Sequence, residues 1–190
     1  MEFVSQDEVV DLLDDYGVEE VPEGAEKVFL RMGDAEGAVH LHLACPQTAC
    51  KPHNGAVVIP VEKNRLHKVV EHIIHLLHLH QVLLIPVGRW RKVFDAVAFS
   101  LAKNEDWQEI DATATVELNT RDPLLCEPAD FHTLVALIQA LVQDADSPDQ
   151  GLMFLATGSP VLVEVVPDGA VRISLGSQVL ADEIAEALAS

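Results

Sequence analysis

Cations are scarce in this chain: 12 Lys and Arg stand against 31 Asp and Glu, for a formal net charge of -19 over 190 residues. A surface that acidic repels phosphate backbones, so nucleic acid is not an expected partner unless one segment forms a separate basic face. Cysteine is rarer still, at three residues. An odd number does not make a disulfide framework, so free thiols in a reducing cytoplasm are expected. No stretch reaches the roughly 18 uninterrupted apolar residues of a membrane span. The opening Met1-Glu2-Phe3-Val4-Ser5-Gln6-Asp7-Glu8 is acidic where a secretory signal is basic and then apolar, so no membrane partner is expected. The catalytic signatures are missing too: no G-x-G-x-x-G, P-loop, C-x-x-C, H-E-x-x-H or G-x-S-x-G occurs. The first expectation is a non-enzymatic protein without a cofactor.

What is present is enough apolar residue, 49% of the chain, to bury a proper core. Ser5 and Glu8 form a capping box ahead of a helix on Val9, Leu12, Leu13 and Tyr16 that ends at Gly17. A connector with Pro22 and Gly24 leads to Lys27–Met32, which reads as a β-hairpin with Ala38–Ala44 across the turn at 33–37. Strands are expected at Ala56–Val61 and Val82–Val87, with a long amphipathic helix at Lys63–Leu79 between them. A helix at Arg91–Ala102, a strand at Thr113–Leu118 and a loop through Pro123 and Cys126 precede a second long helix that Pro128 opens and Gln143 closes. After a spacer at Asp144–Gln150 come three short strands, Leu152–Ala156, Val161–Val166 and Val171–Leu175, and a last helix capped by Ser177. The fold class is therefore α+β: a mainly antiparallel sheet packed by two long amphipathic helices, with a strand-rich C-terminal addition. Residues 1–146 read as the core domain and 147–190 as a β-β-β-α extension packed on it.

The helix Glu8-Val9-Val10-Asp11-Leu12-Leu13-Asp14-Asp15-Tyr16-Gly17, the late segment Ala114-Thr115-Val116-Glu117-Leu118, Pro123-Leu124-Leu125 and the Phe131–Val142 helix together resemble the YbjN and type III secretion chaperone-like superfamily in element order and acidity. The resemblance covers roughly three quarters of the chain. It implies a dimeric, non-enzymatic, chaperone-like protein whose partner is another polypeptide or a second copy of itself.

Eight of the nine histidines lie between Val39 and His80. At about 100° per residue, His67, Glu71, His75 and His78 fall on one helical stripe, and His40 and His42 alternate onto one strand face. Imidazoles with a carboxylate between them suit zinc or another divalent metal, provided two elements converge. Cys45, Cys50 and His53 offer an alternative ligand set. The competing expectation is thus a divalent-metal-binding protein or metal-dependent enzyme built on the histidine-rich stretch, the bland one a solvated face with histidines at polar positions. A third is a surface that gains charge between pH 7 and 5. Arg89, Arg91 and Lys92 cluster where a helix begins and suit an anion, either a phosphate or carboxylate ligand or the chain's own acidic segments. His132 and Cys126 are near in sequence, but a lone histidine there reads as structural.

Overall fold

The computed structural model describes residues 1–15, 17–24, 26–32, 38–114 and 120–189. A two-residue strand β1 (Glu2–Phe3) precedes α1 (Gln6–Asp15), whose second residue, Asp7, donates its backbone N–H to Ser5 Oγ at 3.3 Å. The ribbon β2 (Val18–Glu23) and β3 (Lys27–Met32) follows, turning at Gly24, whose φ of 73° lies where only glycine is unstrained. Then come β4 (Val39–Ala44), β5 (Val57–Pro60) and, after a 3-10 turn at Lys63–Arg65, α2 (Leu66–Leu76). The chain continues through β6 (Val82–Pro86), α3 (Trp90–Val97), α4 (Glu105–Ala114), β7 (Leu124–Cys126) and α5 (Phe131–Asp144). It closes with β8 (Leu152–Ala156), β9 (Val161–Val166), β10 (Ala170–Leu175) and α6 (Gln178–Ala189). No helix of the described residues is long and apolar enough to cross a membrane.

The α+β class is as expected. Among the described residues eight strands form one sheet in the order β1-β7-β6-β8-β9-β10-β4-β5, antiparallel except where β5 lies parallel to β4. The C-terminal strands are not peripheral: β8, β9 and β10 bridge β6 on one side and β4 on the other. Without them the described sheet would be two pieces.

Period-two alternation sorts each strand onto two cores. On one face Leu41, Leu43, Leu84, Phe154, Val163, Val171 and Ile173 pack under the helices, α5 contributing Leu134, Leu137, Ile138 and Leu141, each 0% exposed. Burying one such side chain stabilises by about 1.5–3 kcal/mol, so this stripe alone carries much of the helix's stability. On the other face Leu83, Ile85, Met153, Leu155 and Leu162 pack against Val9 and Leu13 of α1 and Leu30 and Met32 of the ribbon. That second cover stops short of β4.

Three expectations need correction. Lys27–Met32 pairs with Val18–Glu23, not with Ala38–Ala44. Strand β4 joins β10 in register His42 to Arg172, which places its leucines in the core under the helices. Thr113 and Ala114 end α4, a helix that Asn104 starts by accepting the Trp107 N–H on its side chain; the remainder of the expected strand, 115–118, lies outside the described residues. Leu124–Cys126, read as loop, is β7, too short to show a period.

Candidate functional site

The strand histidines and the helical histidines stand on opposite sides of the sheet. Leu41 and Leu43 share the core of α2, so His40 and His42 point the other way. Of the helical stripe, His67 is buried at 8% exposure, while Glu71, His75 and His78 border a groove toward α5 with His80 and His132. His40, His42, His67, Glu71, His75 and His78 are therefore not one constellation. Cys45 donates to Gln47 Oε1 at 3.3 Å, whereas Cys50 lies beside Arg172 on the far side of the loop. Among the described residues no group of three or more His, Cys, Asp or Glu side chains is placed to hold a metal ion.

What gathers instead is a polar cluster on β4, β9 and β10, roofed by the 45–56 loop. His40 Nδ1 lies 2.9 Å from Ser174 Oγ, and the His40 and His53 rings stand 5.4 Å apart. Arg172 donates from one guanidinium nitrogen to both Glu164 oxygens at 2.9 and 3.2 Å and from another to the Lys51 carbonyl at 2.8 Å. Among the described residues, Arg172 Nε and His42 Nδ1 are buried without a hydrogen-bond partner. Asp168 holds the loop, accepting from Thr48 Oγ1, Ala49 N and Cys50 N at 2.8, 2.6 and 3.0 Å. These donors, the Thr48 hydroxyl first, hold its carboxyl below the usual range. Between this cluster and the ribbon lies a cleft of about 530 Å³ whose apolar wall includes Pro22, Phe29, Leu30 and Leu162.

Several titratable groups of this cluster are shifted from their ordinary values. Burial, and next the Arg172 charge, push His42 and His53 below their ordinary value, against the pull of Glu164; both imidazoles are neutral at pH 7. Burial raises the Cys50 thiol against the opposing Arg172 charge, and pushes Cys126 up to about 12. At that value the Cys126 thiol is no nucleophile at neutral pH. His132 turns from Cys126 to Asp106, with Nε2 2.7 Å from Oδ2 on the exposed surface.

Of the basic trio, Arg89 pairs with Glu26 at 3.3 Å and Lys92 with Asp149 at 3.6 Å, so two of the three meet the chain's own acids; Arg91 is exposed. The sequence did not point to a different feature, the open side of β5. Among the described residues this strand is last in the sheet, and Val57 and Val58 are 47% and 55% exposed. The Val61 N–H donates to the Ala44 carbonyl at 3.0 Å, so alternation aims Val57 and Ile59 at β4 and turns Val58 and Pro60 outward. Proline there removes no ladder bond, as edge strands require. Outward remain one donor, the Val58 N–H, and the Val58 and Pro60 carbonyls. The run Val57-Val58-Ile59-Pro60, β-branched and ended by proline, is the signal that marks such an edge. Comparisons of the chain with family models, with curated proteins and with solved structures return no match.

Proposed function

We propose that the protein is a non-enzymatic, chaperone-like binding module of the cytoplasm that holds an extended segment of another polypeptide along the open side of β5. The observation that carries this reading is the unpaired edge with two half-exposed valines, since an added strand would satisfy the edge and cover both. The resemblance in the α1 and α5 segments implies the same class of function. The raised Cys50 thiol fits it, because a thiol held protonated is a poor nucleophile.

The edge by itself binds weakly. Its one donor and two acceptors contribute about 1 kcal/mol each, and covering the exposed halves of two valines adds about 2 kcal/mol. Association costs at least about 4 kcal/mol in lost freedom, which leaves at most about 1 kcal/mol, a dissociation constant no tighter than about 0.2 M, so side chains must supply affinity as well as selectivity. The test is fluorescence anisotropy with a panel of labelled ten-residue peptides rich in β-branched residues. Val58→Pro removes the outward donor and leaves the β4 ladder whole, and is expected to weaken binding at least tenfold with the melting temperature retained. In hydrogen exchange the Val58 amide gains protection when peptide is added. Peptides that bind Val58→Pro as well as the wild type, without protecting Val58, would overturn the reading.

A further inference from the structure

Resting on the β5 reading, we propose that the segment received there is acidic and places one bulky apolar side chain in a hollow beside the strand. Eight of the chain's twelve Lys and Arg fall within residues 51–103, which hold only three Asp and Glu. Four of those eight, Lys51, Lys63, Arg65 and Lys68, surround β5 in sequence, are exposed, and form no ion pair among the described residues. Lys63 leans over Gly169 and also attracts Asp168. On a protein of net charge -19 this is the place where an acidic chain is attracted.

The hollow lies on the helix face of the strand. It measures about 180 Å³ and is lined by Ile59, Pro60 and Val61 of the strand region, Val69 of α2 and Leu188 of α6, with Arg65 and Glu62 also bordering it. A strand added beside β5 sends alternate side chains to this face, so one of them meets an apolar floor and a neighbouring guanidinium. A second copy of the chain fits less well. Pairing of β5 with β5 about a twofold axis sets the basic residues that flank one strand against those that flank the other, and like charges so placed repel.

Three labelled peptides share an extended core: one with a central Leu and Asp/Glu flanks, one with the same Leu and Lys flanks, and one with acidic flanks and Ala for the Leu. Measured by anisotropy, the first is expected to bind at least tenfold more tightly than either other, and to weaken about tenfold between 50 and 500 mM salt. Arg65→Glu should weaken the acidic peptide, and Leu188→Asp should remove the preference for Leu over Ala with acidic-flank preference kept. Equal binding of acidic and basic peptides would overturn the charge assignment while leaving the β5 reading standing. Binding of none of the three would overturn both. A concentration-dependent dimer, seen by sedimentation and abolished by Val58→Pro, would make the second copy the occupant and overturn the proposal.

Discussion

Replacing Glu164 by Gln tests the polar cluster most directly, because it removes the one carboxylate bonded to Arg172. The pair is largely buried, with side-chain exposures of 21% for Arg172 and 15% for Glu164, and its closest contact is 2.9 Å. Breaking a fully buried pair from one side costs about 3–5 kcal/mol, since the surviving charge stays desolvated. Here the Lys51 carbonyl still accepts from Arg172 and some solvent reaches both groups, so about 2–3 kcal/mol is expected. For a chain of this size each kcal/mol lowers the melting temperature by about 2–4 °C, giving a fall of about 4–12 °C at pH 8.

Acid should then deepen the loss. His42 and His53 sit below their ordinary 6.5 in the folded protein, so the unfolded chain takes up protons first as pH falls. The neutral imidazoles' contribution is whole above about 6.5 and is lost as pH drops from there toward their folded values. Glu164 is the charge that pulls both upward, so Glu164→Gln holds them lower still and extends the loss to more acid pH. The groups facing the histidines from the surrounding elements are Arg172 and Glu164, with Cys50 on the loop above, and His53 also feels His40 and His42. Circular dichroism melts of wild type and variant at pH 8, 6.5 and 5.5 read both effects. The double variant Glu164→Gln/Arg172→Met should recover part of the stability, because it removes the orphaned charge along with its partner. A single variant as stable as wild type at pH 8, or a wild type that gains stability between pH 6.5 and 5.5, would refute the reasoning.

Asp168→Asn should cost about 1–2 kcal/mol by weakening the three bonds that hold the 45–56 loop, and amide exchange of Ala49 and Cys50 should quicken while β8 stays protected. Because the Asp168 carboxyl titrates below its ordinary 3.8, its contribution is present above that value and fades only as pH falls below it, well separated from the histidine window. Gly88→Ala places a Cβ 2.5 Å from the Asp149 carbonyl oxygen; a shift of the 148–151 turn follows, with a loss of about 1–3 kcal/mol by urea denaturation. Trp90→Ala, removing a side chain 0% exposed that donates to the Asp122 carbonyl at 2.8 Å, should cost about 3–5 kcal/mol in the same assay.

Local pattern carried the sequence reading where the structure is local. The alternation of Val39-His40-Leu41-His42-Leu43 assigned each residue to its correct face, because the period of two belongs to the strand itself. It did not reveal the partner: β10 is about 130 residues away, and nothing near β4 distinguishes it from β3. The ribbon strand Val18–Glu23 was hidden for another reason. Only its first residue is buried, so it lacks the apolar signal, and Pro22 argued against it. Helix α4 buries Trp107 and Ile110 among charged neighbours, too narrow a stripe to outweigh the apparent alternation after Thr113.

The histidine-rich stretch shows the same division at the level of function. Helical and strand patterns each placed their histidines on a coherent stripe, yet whether two stripes meet depends on which side of the sheet each element takes, and that follows from Leu41 and Leu43 choosing the α2 core. Once those leucines face the helices, His40 and His42 must face Arg172, whose charge helps to keep His42 neutral rather than inviting a second cation. A residue invisible to the metal argument thus decides its chemistry. The open edge of β5 arises from the same geometry: β4 is paired on one side by β10 and on the other by a short parallel strand ending in proline, so the sheet stops at a strand flanked in sequence by four of the chain's twelve cations. Of the residues proposed to act at that edge Lys51 touches the polar cluster, through its carbonyl to Arg172, so a peptide titration of Glu164→Gln at a temperature where it remains folded should give an affinity within about threefold of the wild type.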